Sequence, residues 1–377
     1  MSPIPISVFE SRLPAMLTQL CAMIELESPT DDKDSIDRLS RFVKEEAIAM
    51  SAEVEEYPQL DAGNHMTFQW GSDGGGILIM THLDTVYPIG TIERMPIREQ
   101  EGRLYGPGVL DMKAGVVITL SAVRALIDSG SMRPHRITLL CTSDEETGSE
   151  TSRSLIEDLA KDHDLVLCLE PALPDGSLKT WRKGIGVFHL ETLGIAAHAG
   201  AVPNPGVNAI LEMTYQIQEI LSMADSEKGT SINVGVIHGG TRSNVIPELC
   251  RAEIDIRIME LEEQERLNAA LEMLSPKLEG AQVRIEGEWN RPPMERSALM
   301  IDTFNRAKEI AKGLGLELNE GGTGGGSDAN FVALLGVPVL DGLGAVGEGA
   351  HSPKENILIS SLPERTALVA ALISDWL

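Results

Sequence analysis

Acid and imidazole side chains stand wherever the apolar runs of this sequence end. Thr81-His82-Leu83-Asp84-Thr85 closes the run Gly76 to Met80. Residues two apart share a strand face, so His82 and Asp84 point the same way while Leu83 points into the core. Asp84 would accept the ring N–H and leave the other imidazole nitrogen free for a metal. Asp111 stands in Gly106-Pro107-Gly108-Val109-Leu110-Asp111-Met112-Lys113, ahead of a helical stretch. Glu145 and Glu146 follow Ile137 to Asp144, and Glu170 follows Leu165 to Leu169. His351 sits in Gly349-Ala350-His351-Ser352-Pro353, a tight turn that would present an imidazole. Taken singly, each has an ordinary reading: a hydrogen-bonded pair, a helix N-cap at Asp111, a solvated strand end at Glu170.

Together they describe metal-assisted hydrolysis. Neighbours on a regular strand face opposite ways and adjacent carboxylates repel, so Glu145 and Glu146 serve one site only in an irregular turn. One would then bind metal, and the other would take a proton from water activated by it. Charge supports the sum. Two zinc ions bring four positive charges; the carboxylates of Asp111, Glu146 and Glu170 bring three negative ones, and a hydroxide the fourth. Oxygen and imidazole ligands with an open position make a catalytic zinc arrangement that cobalt or manganese would also accept. The two ions should lie ~3.5 to 4 Å apart.

The elements that must position these residues follow from periodicity. Gly76–Thr81, Arg136–Thr142 and Asp164–Leu169 read as buried strands. Asp32–Ala52, Met112–Ile127 and Glu150–Ala160 read as helices between them. That alternation predicts an α/β fold with a mainly parallel sheet flanked by helices. In such a sheet the crevice outside the carboxyl ends of the strands binds ligands, so the acids would converge there. Near Gly176 the pattern changes. Ser177–Leu193 alternates apolar and polar residues, and helices at Val207–Met223 and Glu262–Leu278 interleave with strands at Ser231–Val236, Cys250–Ile258 and Gln282–Gly287. After Pro292 and Pro293 the chain resumes with a helix (Ala298–Gly313), a glycine-rich loop, a strand (Val337–Leu340) and a closing helix (Leu362–Trp376). The expected organisation is a catalytic domain in two parts, residues 1–180 and 293–377, interrupted by a smaller α+β lid at 181–292.

At 377 residues the chain exceeds the ~250 to 300 at which one core usually stops growing, which agrees with two domains. Its net charge of -26 repels nucleic acid and anionic membranes, so neither is an expected partner. Cys21, Cys141, Cys168 and Cys250 are far apart with no CxxC spacing, and read as buried free thiols of a reducing compartment. No basic residue precedes Arg12 and no unbroken apolar run follows, so a cytoplasmic location is expected.

In its order of motifs, from the His82 stretch to the turn at His351, the sequence resembles the co-catalytic zinc metallopeptidases. That family includes aminoacylase, the carboxypeptidase G type of glutamate carboxypeptidase, acetylornithine deacetylase and succinyl-diaminopimelate desuccinylase. The resemblance implies that His82 and Glu170 hold one zinc, Glu146 and His351 the other, and that Asp111 bridges them, with Glu145 as general acid/base. It also implies a cis peptide bond from Asp111 to Met112 and an inserted lid through which two chains dimerise. Ala197-His198-Ala199-Gly200 looks like the motif whose histidine polarises the scissile carbonyl in the partner's site. Gly239 to Pro247, which contains Arg242 and Asn244, and the strand-borne Arg257 look like a clamp for a substrate carboxylate, a group that arginine pairs with bidentately.

The run Gly321 to Gly326 lacks the Lys-Ser/Thr of a phosphate loop. N–H groups near Gly326, ahead of a helix starting near Ser327, would suit a carboxylate, and the resemblance places this loop beside the site. Glutamate at the Glu170 position accompanies carboxypeptidases, aminoacylases and the desuccinylase in that family. The expected activity is therefore hydrolysis of an amide bond next to a free carboxylate in a small molecule or peptide. A glutamate carboxypeptidase is the first choice and an N-acyl-amino-acid deacylase the alternative. A nucleotide-dependent enzyme would need Gly-x-Gly-x-x-Gly after the first strand, and a serine hydrolase a Gly-x-Ser-x-Gly elbow; neither occurs there.

Overall fold

The computed structural model describes residues 3–203 and 205–376. The chain forms two compact units: one comprises the chain up to Trp181, Arg296–Thr323 and the part from Ser327 on, the other Arg182–Glu295 with Gly324–Gly326.

In the first unit, Ile77, Leu78, Ile79 and Met80 are all buried. Successive strand residues face opposite sides, so this run is covered on both faces, as a parallel sheet requires. The sheet has eight strands in the spatial order Glu53–Tyr57, His65–Trp70, His135–Thr142, Asp73–His82, Leu165–Cys168, Val339–Asp341, Leu178–Arg182, Glu320–Thr323. The central four run parallel to one another, so the expected α/β class with a mainly parallel core holds. His82 ends one of these strands, Glu145 and Glu146 follow a second, and Glu170 follows a third. Helices Ile6–Glu25, Ala114–Asp128 and Ser361–Asp375 pack against one another, with Phe9, Leu20, Val117 and Leu368 in one continuous core with Ile79.

Three strands of this sheet lie outside the sequence reading: Glu53–Tyr57, His65–Trp70 and Glu320–Thr323. The first is largely exposed and acidic, and the last contains glycines, which weaken a strand signal. Its Gly322 is nonetheless required, because a Cβ there would stand 2.1 Å from the Trp181 ring. The alternation over 177–193 also divides, since Leu178–Arg182 joins the large sheet and Gly184–Leu193 a different one. Continuous alternation conceals such a change of partner. The helix read from Met112 begins at Ala114, because Asp111 (φ −117°, ψ 95°) and Met112 are not helical. Asp111 is therefore not an N-cap, and the Asp111–Met112 peptide is cis.

The second unit is a four-stranded antiparallel sheet in the order Ser231–Gly239, Leu249–Ile258, Gly184–Leu193, Gln282–Arg291. Along Leu249–Ile258, Cys250, Ala252, Ile254, Ile256 and Ile258 are buried while Arg251 and Glu253 are exposed. The buried residues join Met213 and Ile220 of helix Ala209–Leu221 and Leu267 and Leu271 of helix Leu261–Glu272 in one core. Buried Glu263 ties this helix to a neighbouring turn. It accepts from Arg266 (2.5 Å), Lys228 (2.8 Å) and the Thr230 hydroxyl (2.8 Å). The Arg266 guanidinium is the main reason its carboxyl titrates at about 2, below the usual 4.5. A depressed folded-state value means that the ionised form stabilises the fold. The contribution is complete above about pH 4.5 and disappears as pH falls through about 2. Glu263→Gln is expected to cost about 1–3 kcal/mol at pH 7, the scale of hydrogen bonds to charged groups. Thermal unfolding of both proteins should show the difference shrinking toward pH 2.

Cys21 is half-buried and Cys141, Cys168 and Cys250 are buried, all as free thiols. No helix among the described residues is long and apolar enough to cross a membrane.

Candidate metal centre

Six side chains from five segments of the first unit converge. His82 Nε2 lies 3.2 Å from Asp111 Oδ1 and 3.5 Å from Glu170 Oε1. His351 Nε2 lies 3.4 Å from Asp111 Oδ2 and 3.0 Å from Glu146 Oε2. The two oxygens of Asp111 thus face one imidazole each, in the order Glu170, His82, Asp111, His351, Glu146. Ligand atoms of His82, Asp111 and Glu146 fall within 4.8 Å of one another, and so do those of His82, Glu145 and Glu170. Both glutamates reach the site because Glu145–Thr147 is a single tight turn closed by Gly148 at φ 106°. His351 itself has φ 59°, a left-handed conformation uncommon for histidine, of the kind found at functional turns.

Asp84 does more than orient a ring. His82 Nδ1 lies 3.0 Å from the Asp84 backbone carbonyl and 3.4 Å from its carboxylate. That carboxylate accepts from Thr30 Oγ1 (2.8 Å) and from the N–H groups of Glu146 (3.1 Å) and Glu145 (3.3 Å). One buried acid therefore fixes both the imidazole and the turn bearing the two glutamates.

The charges of the cluster act strongly on one another. Burial would lower His82, but hydrogen bonds to Asp111, Asp84 and Glu170 outweigh it and hold the imidazole well above its usual value. Asp111 and Glu146 raise His351 to about 10. Burial pushes Glu146 up, and its buried Oε1 has no hydrogen-bond partner. So many carboxylates around two imidazoles make a strongly negative cluster of the kind that divalent cations neutralise. The donor set of carboxylates and neutral imidazoles fits such ions.

The profile of peptidase family M20/M25/M40 matches residues 78–375. Carboxypeptidase G2 of Pseudomonas sp. (strain RS-16) is 32% identical over 373 residues, covering 96% of this chain and 89% of that protein. The chain belongs to the M20/M25/M40 peptidase family. It is a hydrolase of the metallopeptidase type. Two solved structures share its fold. Aminopeptidase PepT of Bacillus cereus superposes with a TM-score of 0.79 at 20% identity, over 96% of this chain and 98% of its own. Bacillus subtilis YxeP, described as a dinuclear metal-binding peptidase of family M20, superposes with 0.68 at 16% identity, over 97% and 98%.

The remaining candidates of this M20-family chain lie in its second unit. His198 is exposed on the short strand Ala197–His198, paired with Val245–Ile246. Its Nδ1 accepts the Gly200 N–H (3.0 Å), so in the neutral ring the proton sits on Nε2, where it can be donated. The Asn244 carbonyl accepts the Ala199 N–H (3.0 Å), which brings Asn244 to the same strand pair. Arg257 is forked by its strand neighbour Asp255, at 2.7 and 2.8 Å, and reaches the Gly324 carbonyl at 3.4 Å. The Gly326 carbonyl accepts from Arg182 (2.9 Å), and a Cβ on Gly326 would stand 2.6 Å from Ile185. The helix expected near Ser327 is Ala329–Leu334. Ahead of it the Ser327 N–H is bonded to Asn330 Oδ1 (2.9 Å) and the Ala329 N–H to Ser327 Oγ (3.2 Å).

Two residues near the cluster escaped the sequence reading. Thr30 reaches Asp84 because Pro29 bridges to Thr85; nothing local marks it. Glu355 is fully buried and raised to about 7 by that burial. Its one sequence signal is an acid four residues beyond a candidate ligand.

Proposed function

We propose that this M20-family hydrolase works with two divalent cations, zinc first, and cleaves an amide bond next to a free carboxylate. His82 and Glu170 would hold one ion and Glu146 and His351 the other, with Asp111 shared and Asp84 orienting His82. The observation that carries this reading is the Asp111 carboxylate with one oxygen toward each imidazole. When bound, such a pair of ions lowers the pKa of water and polarises a carbonyl. Glu145, whose turn is anchored on Asp84, accepts the proton at its carboxylate and returns it to the leaving amine. His198 donates from Nε2 to the developing oxyanion. Asn244, Arg257 and the loop at Gly326 orient the substrate carboxylate.

The similarity to carboxypeptidase G2 supports a glutamate carboxypeptidase, with Arg242 available for an acidic side chain. One observation favours the second reading, deacylation of N-acyl amino acids: Asp255 already neutralises Arg257, which leaves less positive charge for a substrate with two carboxylates. Metal-loaded protein should be offered an acyl-glutamate, an acetyl-methionine and a dipeptide amide. Fastest hydrolysis of the acyl-glutamate is the expected result, and preference for acetyl-methionine would select the deacylase. Equal cleavage of the amide would remove the carboxylate requirement altogether.

A cytoplasmic homodimer formed through the second unit completes the proposal, with His198 acting in the partner's site. If so, mixing His198→Ala with Glu145→Gln chains restores roughly a quarter of the parent activity, because one site in half of the dimers is intact. No recovery in a mixture that has exchanged subunits would place His198 in its own chain's site.

A further inference from the structure

Glu355 is fully buried, and its carboxylate is held by the Tyr87 side chain and by three backbone N–H groups. Oε1 accepts the N–H groups of Leu110 (2.7 Å) and Asp111 (3.0 Å), and Oε2 that of Gly108 (3.2 Å). All three donors belong to the segment that carries Asp111. That segment is irregular: Gly108 has φ 68°, and Asp111 and Met112 lie outside helical geometry. Neither sheet nor helix therefore fixes the Asp111 N–H.

The meeting of the two segments is built into the sheet. Arg103–Tyr105 pairs antiparallel with Asn356–Leu358, Tyr105 opposite Asn356. Gly106 follows one strand and Glu355 precedes the other, so the acid is delivered to the loop that starts there. The turn from Gly349 to Glu355, closed by Ser352 N–H to Gly349 carbonyl (3.0 Å) and Glu355 N–H to Ser352 carbonyl (3.1 Å), carries His351. Tyr87 clamps the same turn through its hydroxyl on the Ser352 carbonyl (3.0 Å). Asp111 thus hangs from the Glu355 carboxylate, and His351 from the turn that the Glu355 main chain closes.

We propose that Glu355 is a positioning residue for the shared ligand. By gathering three N–H groups it sets the direction in which Asp111 leaves the backbone, so that one oxygen faces His82 and the other His351. The inference rests on the two-cation reading above. It differs from a purely structural role in what it predicts. A buried acceptor that only satisfied loop donors would affect stability alike with or without metal. A positioning residue acts on the second ion, since the first can be held with a single Asp111 oxygen.

The test uses the parent, Glu355→Gln and Glu355→Asp. Glutamine keeps the shape and the Oε1 acceptor but sets its NH₂ against the Gly108 N–H; aspartate keeps the charge on a shorter stem. Each metal-free protein is titrated with Zn²⁺ for stoichiometry and affinity, and kcat and KM are measured on one acyl-glutamate. For Glu355→Gln the expected result is a first equivalent bound as in the parent and a second bound about 10- to 100-fold more weakly. kcat at limiting metal should fall by a similar factor while KM moves less than about threefold, because uniform binding is untouched. Glu355→Asp should recover part of the second-site affinity. Parent-like uptake of both equivalents by the glutamine variant overturns the inference and leaves the two-cation reading standing. So does equal weakening of both equivalents, or failure of both variants to fold. A parent that takes up fewer than two equivalents overturns both.

Discussion

Glu145→Gln is expected to take up two metal ions like the parent and to lose kcat by about 10²- to 10⁴-fold, the range of a general base. The substitution is isosteric, and the backbone N–H of residue 145 still reaches Asp84, so the turn and its neighbour Glu146 stay in place. What disappears is the ability to accept a proton. The structure also supplies the competing outcome, because the ligand atoms of Glu145 lie within 4.8 Å of those of His82 and Glu170. If Glu145 were a ligand and not the base, glutamine would lower metal stoichiometry and activity together. Metal analysis beside single-turnover kinetics separates the two. Two equivalents with near-parent turnover would show that the proton goes elsewhere.

Asp111→Asn should have a still larger effect, through metal binding. The asparagine amide can turn its oxygen toward one imidazole only, which leaves NH₂ where the other ion needs an anion. One equivalent of metal is expected to remain tightly bound and the other to be lost. Activity should fall about 10³-fold or more, the rate equivalent of the several kcal/mol that a metal supplies at the transition state. Chelation of the parent should have the same consequence, reversed by zinc, cobalt or manganese. Full occupancy and activity in Asp111→Asn would show that no ligand is shared.

Both experiments depend on residues that local patterns disclose. His82, Glu145, Glu146 and Glu170 end or follow buried strands, and an apolar run stops visibly where water or a ligand begins. The alternation of strand and helix then implies a parallel sheet, whose strands release these residues at one rim. The second unit is legible for a related reason, since one covered face imposes the period of two seen from Cys250 to Ile258. The strands Glu53–Tyr57 and Glu320–Thr323 were not legible. Exposure in the first and glycine in the second remove the apolar signal, and pairing alone makes them strands.

The sequence by itself determined the chemistry of the ligands, their order along the chain and the class of sheet that gathers them, because these follow from residue type and short-range periodicity. Tertiary structure decided how they are used. That Asp111 straddles two imidazoles, that Asp84 holds the glutamate turn, and that Asp255 occupies the fork of Arg257 are matters of direction within a few ångströms. Glu355 meets Gly108 across 247 residues of chain. Hydrogen bonds of that kind exist only after distant strands have paired, and no local window of sequence contains both partners.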